Sequence, residues 1–249
     1  MDKKALSQTI KSTKSFLCVG LDPDLNKLPE FLINESFDSV IEPVLRFNKA
    51  AIDATADYCV AYKPNLAFYE ALGSKGWEIL EETVNYIPDD KFVIADAKRG
   101  DIGNTARQYA KAFFENMDFD AITLSPYMGR DAIQPFLEYP GKWAIVLGLT
   151  SNDGAADFQL LEAEGKPVYS HVLDKVQQWG TEDNTMFVVG GTQPEALKKI
   201  RTQCPDHFLL IPGIGRQGGD LQTIANYGMN KDYGILVNVS RSLIYAGSG

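Results

Sequence analysis

Short apolar runs recur along the chain, each closed by a polar or turn-forming residue. They are Phe16–Leu21, Tyr58–Tyr62, Lys91–Ala95, Ala121–Leu124, Trp143–Leu149, Met186–Val189, Phe208–Pro212 and Gly234–Val239. Between most of them the apolar positions shift to helical spacing, over Phe37–Ala56, Trp77–Tyr86, Ile102–Phe114, Ala132–Leu137, Val168–Trp179, Pro194–Cys204 and Leu221–Tyr227. In Phe37–Ala56, for example, the buried face is expected at Val40, Val44, Leu45, Phe47 and Ile52. Strands that alternate with helices imply parallel pairing through right-handed crossovers. Eight such units in 249 residues predict a single-domain α/β fold, a (β/α)8 TIM barrel over residues 1–249. A doubly wound open sheet is the alternative, but its first strand would lead into a glycine-rich nucleotide loop. Here the first strand ends in Gly20-Leu21-Asp22-Pro23 instead.

The polar residues fall into order on the barrel. Asp22, Lys63, Asn65, Asp96, Lys98, Ser125, Ser151, Gly213 and Arg241 all lie at or just beyond the C-terminal ends of expected strands, the catalytic face of such a fold. Ser151–Lys166 is the longest irregular connection and a candidate lid. Only a few residues follow the Arg241 strand before Gly249, so the eighth helix is expected to be very short or truncated.

Composition narrows the chemistry. A net charge of −9 argues against a groove that tracks nucleic-acid phosphates, though not against a local pocket for a small anion. No apolar run approaches the roughly 18 residues that span a membrane. The N-terminal MDKKALSQTIKSTKS lacks the apolar core of a secretion signal and reads as a polar helix. Cys18, Cys59 and Cys204 have neither metal nor redox spacing, and buried thiols in a reducing cytoplasm fit them. His171 and His207 are too few and too isolated for a histidine metal site.

Two stretches carry the chemistry. In FVIADAKRGDIGNTARQY, Phe92 to Tyr109, an apolar strand runs into Asp96, Lys98 and Asp101. Asp96 and Lys98, two apart, share one face of a strand. A lysine held between two carboxylates keeps its proton and can deliver it to a carbanion. In IPGIGRQGGD, Ile211 to Asp220, glycines let the backbone approach an anion, and Asp220 can cap the next helix. Loops after strands seven and eight are the usual phosphate seat of these barrels. Arg241 supplies a planar fork for phosphate oxygens and Gln217 a neutral donor.

Together these residues resemble the orotidine 5′-phosphate decarboxylase family, and within it the bacterial branch that carries DAKRGDIG. The resemblance spans nearly the whole chain: GLDP at 20–23, YKPN at 62–65, ADAKRGDIGNTA at 95–106, SPYMGRDAIQPF at 125–136, TSN at 150–152, VVGGTQPEALKKIR at 188–201, PGIGRQGGD at 212–220 and NVSRS at 238–242. It implies decarboxylation of orotidine 5′-monophosphate (OMP) to UMP and CO2 in pyrimidine biosynthesis, without metal or organic cofactor. By that resemblance Lys63, Asp96, Lys98 and Asp101 form an alternating charged array, and Lys98 protonates C6. Asp96 lies near the departing carboxylate. Lys63 and Asp22 hold ribose hydroxyls, Asn65 belongs to the same motif, Ser151 contacts the pyrimidine amide, and Gln217 and Arg241 hold the phosphate. Asp101, Ile102 and Thr105 are expected to reach the neighbouring site of a cytoplasmic, stand-alone homodimer.

Blander readings stand beside these. The charged set could be an ion-pair network capping strand ends, Ser151 a cap with Thr150 as the substrate contact, Arg241 the partner of a carboxylate, and Asp22 a turn former before Pro23. Tyr127 and Arg130 read as rim residues, and Gly190 and Gly191 as sites of tight packing. Rival functions are a Mg2+-dependent sugar-phosphate enzyme of the same superfamily and a catalytically silent nucleotide-binding barrel.

Overall fold

The fold is taken from a computed structural model that describes residues 1–34, 41–213 and 220–247. Its strands are β1 (Leu17–Leu21), β2 (Ala61–Pro64), β3 (Phe92–Arg99), β4 (Ala121–Leu124), β5 (Trp143–Leu147), β6 (Glu162–Ala163), β7 (Lys166–Pro167), β8 (Thr185–Val188), β9 (Phe208–Pro212) and β10 (Ile235–Val239). Eight of them close a barrel in the order β1-β10-β9-β8-β5-β4-β3-β2. Every pairing in it is parallel, and β1 closes the ring against β10 through Leu17↔Val237 and Cys18↔Asn238. Helices carry the chain between strands, as the alternation of periods requires: Ile41–Thr55 after β1, Ser74–Tyr86 after β2, Gly103–Lys111 after β3, Val168–Trp179 after β5, Pro194–Gln203 after β8 and Leu221–Gly228 after β9.

Strand periodicity sorts the side chains into two cores. Cys18, Ala61, Phe92, Ile94, Ala121, Trp143, Ile145, Met186, Phe208, Leu210 and Leu236 form the inner cluster. Their neighbours Val19, Tyr62, Val93, Ile122, Ala144, Phe187, Leu209 and Val237 join the outer cluster that also contains the helix faces. The N-terminal helix Lys3–Thr13 contributes Leu6 and Ile10 to the inner cluster. The Trp143 indole N–H donates to the Met1 carbonyl at 2.8 Å, and the Met1 ammonium pairs with Asp120 at 2.5 Å. That helix therefore floors the barrel and leaves the strands' C-terminal ends as the open mouth.

Several expected boundaries shift. The second strand runs over Ala61–Pro64 rather than Tyr58–Tyr62. Tyr58 and Cys59 both donate their N–H groups to the Thr55 carbonyl, so the start of that apolar run finishes the preceding helix. The third strand extends to Arg99 and the fifth stops at Leu147. Ser151–Lys166 is not wholly irregular: it holds the helical turn Ala155–Phe158, and β6 and β7 form an antiparallel ribbon at its end. The short helix Leu66–Glu70 goes unpredicted. Helix Ile41–Thr55 matches the described part of the expected Phe37–Ala56, and residues 37–40 lie outside the described set. After β10 the described chain forms only the one-turn helix Arg241–Ile244. No helix among the described residues is long and apolar enough to cross a membrane.

Candidate active site

The inner row of the barrel continues into the site. Two residues beyond Cys18, Ala61, Ile94, Ala121 and Leu236, strand parity turns Gly20, Lys63, Asp96, Thr123 and Asn238 toward the same interior. The apolar floor thus gives way to a polar top layer. Gly20 is required by crowding: a Cβ there would lie 2.6 Å from the Ser240 Cβ.

Asp96 stands at the centre of this layer. One carboxylate oxygen accepts from Lys63 Nζ at 2.5 Å, and the other from Lys98 Nζ at 2.5 Å and Thr123 Oγ1 at 3.1 Å. Burial opposes ionisation of Asp96, but the ammonium groups of Lys63 and Lys98 overcome it and hold the carboxyl down at about 2. Burial likewise opposes the charge on Lys63, and the carboxylates of Asp96 and Asp22 outweigh it, raising its pKa above the ordinary lysine value. Both groups therefore remain charged at neutral pH. Within one chain the arrangement is a carboxylate between two lysines, where the sequence suggested Lys98 between two carboxylates. Among the described residues Asp101 makes no ion pair, and its carboxylate accepts the Ile102 N–H at 2.7 Å.

Lys98 reaches Asp96 by a route other than simple strand alternation. Ala95 pairs with Ile122 and Arg99 with Leu124, so β3 bulges between them. Lys98 lies in the left-handed region at φ +47°, uncommon for a residue with a Cβ. Its side chain is half exposed to the mouth, whereas those of Lys63 and Asp96 are buried.

The cavity over this cluster has two adjoining lobes. The first, about 230 Å³, is lined by Asp22, Lys63, Asn65, Asp96, Ser151, Pro212, Gly213, Asn238, Ser240, Arg241 and Ser242. The second, about 410 Å³, shares Lys63, Asp96, Ser151 and Pro212 and adds Lys98, Thr123 and Gln159. Asp22 Oδ2 accepts from Ser240 Oγ at 2.5 Å, while Oδ1 is buried without a hydrogen-bond partner among the described residues. A buried carboxylate oxygen left unpaired is costly unless a ligand donor meets it. Asn65 caps helix Leu66–Glu70 by accepting the Ala67 N–H. Thr150 is engaged by Gln159, which accepts the Thr150 N–H at 2.8 Å, while Ser151 lines both lobes. Arg241 is exposed at the first lobe and pairs with no carboxylate among the described residues. Gly190 packs its backbone against Ser151, where a Cβ would come within 2.8 Å.

The structure thus brings together Asp22, Lys63, Asn65, Asp96, Lys98, Ser151 and Arg241. Asp101, Ile102 and Thr105 stand on the loop and first helical turn after β3 and line neither lobe. Ile102 is 48% exposed, a large apolar side chain unburied beside the mouth. Gln217 lies outside the described residues. Sequence reasoning missed Thr123, Asn238 and Ser240. The signal was present: each is a polar residue at an inward position of a strand or at its end. Among the described residues no group of three or more His, Cys, Asp or Glu side chains is disposed to hold a metal ion.

Comparison with known proteins points one way. A profile of the "Orotidine 5'-phosphate decarboxylase / HUMPS family" matches residues 15–249. The chain is 55% identical over 249 residues to an orotidine 5′-phosphate decarboxylase of Bacteroides fragilis, covering 98% of this chain and 89% of that one. It is 55% identical over 250 residues to the protein of the same name from Phocaeicola vulgatus, covering 99% and 90%. Among solved structures it is similar to the OMP decarboxylase of Leishmania donovani, with a TM-score of 0.87 and 37% identity over 100% of this chain and 92% of that one.

Proposed function

The chain belongs to the orotidine 5′-phosphate decarboxylase / HUMPS family, and from that membership we propose how its barrel mouth converts OMP to UMP and CO2. The protein is an enzyme of the carboxy-lyase class, acting in pyrimidine biosynthesis. The observation that carries the site assignment is Asp96 held between Lys63 and Lys98 at 2.5 Å from each, beneath a cavity that Arg241 also lines.

The bond from C6 to the carboxylate breaks heterolytically. CO2 departs, the electron pair stays on C6, and Lys98 transfers a proton from Nζ to that carbon. Because the ammonium already stands in the mouth, no solvent has to reorganise as charge develops. Asp96 orients Lys98 and faces the departing carboxylate. Lys63 is buried and stays cationic, so it balances Asp96 after Lys98 has given up its proton. The unpaired Asp22 oxygen accepts from a ribose hydroxyl, with Lys63 and Asn65 beside it. Ser151 contacts the pyrimidine amide, and Arg241 binds the phosphate together with Gln217. Phosphate contacts remote from C6 contribute to the barrier reduction through binding energy.

Asp101, Ile102 and Thr105 complete the site of a second copy in a homodimer, in the cytoplasm. Their position outside their own cavity and the exposed Ile102 support it, as do three free, buried cysteines for the compartment. The reaction needs neither metal nor organic cofactor. Absorbance of OMP during incubation with the protein, with and without EDTA, tests this. EDTA-resistant loss of OMP with formation of UMP is expected. Loss of turnover on chelation, restored by Mg2+, would refute the metal-free route.

A further inference from the structure

We propose that Thr123 is a positioning residue for the proton donor, its hydroxyl locking both ends of Lys98 into one ring of hydrogen bonds. The inference rests on the decarboxylase reading above. Thr123 is 1% exposed on β4, and its Oγ1 accepts the Lys98 backbone N–H at 2.9 Å. The same hydroxyl donates to Asp96 Oδ1 at 3.1 Å, the oxygen that Lys98 Nζ reaches at 2.5 Å. The hydroxyl's single proton and one lone pair are thereby used, and the ring runs from the Lys98 main chain through Thr123 and Asp96 back to the Lys98 ammonium.

The surroundings show why such a device is needed. Lys98 occupies the left-handed region at φ +47° within the bulge of β3, a conformation that persists only where neighbours hold it. The residue after it is well anchored. The Arg99 carbonyl accepts the Ser125 N–H at 2.8 Å, and the Arg99 guanidinium pairs with Glu70 and lies 5.2 Å from the Tyr109 ring centroid. At Lys98 itself, Thr123 is the backbone anchor.

The ring also has a part in the step. Once Lys98 has transferred its proton to C6, the neutral amine no longer holds Asp96 as an ammonium does. Lys63 and the Thr123 hydroxyl still donate to that carboxylate. Thr123 therefore acts through Asp96 and Lys98 without touching the substrate's reacting carbon, and its loss falls on kcat more than on KM.

Steady-state turnover of OMP by wild type, Thr123→Val, Thr123→Ser and Thr123→Ala, with a melting curve for each, tests the inference. Valine keeps the shape and removes the hydroxyl; serine keeps the hydroxyl and removes a buried methyl. The valine variant should lose roughly tenfold to a hundredfold in kcat, the size of one hydrogen bond to a charged group, with KM changed less than about threefold. Serine should restore kcat to within about threefold of wild type even where it melts lower. A purely packing role predicts the reverse order, with serine the poorer enzyme. If the valine variant does not fold, serine against alanine makes the same comparison of hydroxyl with none. A folded hydroxyl-free variant with wild-type kcat, beside an active wild type, overturns this inference alone. A wild type inert toward OMP overturns the decarboxylase reading beneath it as well.

Discussion

His207 offers a quantitative test of how the barrel is held together on the side away from the mouth. It directly precedes β9, is 6% exposed, and neither ring nitrogen has a hydrogen-bond partner among the described residues. Its ring lies 5.4 Å from that of Phe187. Burial pushes its pKa down from 6.5 to about 4; Lys3 and Arg201 add to the effect, while Glu182 and Asp206 oppose it. The unfolded chain takes up a proton near 6.5, but the folded chain does not until about 4. The associated stability is complete above the unfolded value and is lost as pH falls from there toward 4. Between pH 8 and pH 5 the linkage amounts to about 2 kcal/mol, or roughly 4–8 °C in Tm for a chain of this length. Ordinary carboxylates stay largely ionised in that interval, and what they do titrate is common to wild type and variant. Replacing the imidazole in His207→Phe removes the titration, and any cost of the larger ring is the same at both pH values. Melting wild type and variant at pH 8 and pH 5 by circular dichroism should therefore show the wild type losing about 2 kcal/mol more than the variant. Equal losses in the two proteins would refute the argument.

Two further perturbations separate binding from stability. Arg241→Ala should raise KM for OMP by roughly tenfold to a hundredfold, and leave turnover of phosphate-free orotidine nearly unchanged; steady-state kinetics on both substrates checks it. Arg201 donates to the carbonyls of Gly228, Cys204 and His207 at 2.7 Å and of Gly234 at 2.8 Å. An ammonium cannot span that fork, so Arg201→Lys should cost at least about 2 kcal/mol in a denaturant titration while kcat on OMP is preserved.

The fold was legible because its two periods are clean. Ile235, Leu236 and Val237 alternate between outer and inner cores as strand parity demands, and the helix faces fall where the spacing puts them. Boundaries blurred where an apolar run served two elements, as at Tyr58-Cys59-Val60, whose start completes a helix. The charged cluster was legible from its motif, but the geometry inside it was not. Lys98 pairs with Asp96 through a bulge and a left-handed residue, neither of which strand alternation encodes. Thr123 went unnoticed, and Ser240 received no role beyond its place in NVSRS, because a hydroxyl on a strand looks like a β-former or a cap until its partners are known. Asp101 makes no ion pair within the described chain, which strand spacing alone could not foretell.

The central claim is that Lys98, held by Asp96, protonates C6 as CO2 leaves. The most direct test is the rate of UMP formation from OMP by wild type and Lys98→Ala under saturating substrate, with matched melting curves. Rapid turnover by the wild type is expected, with a loss of at least about a hundredfold in the folded variant, the range seen when a proton donor or a group that stabilises developing charge is removed. A folded Lys98→Ala enzyme within about tenfold of wild type would contradict it, and the proton would have to come from elsewhere.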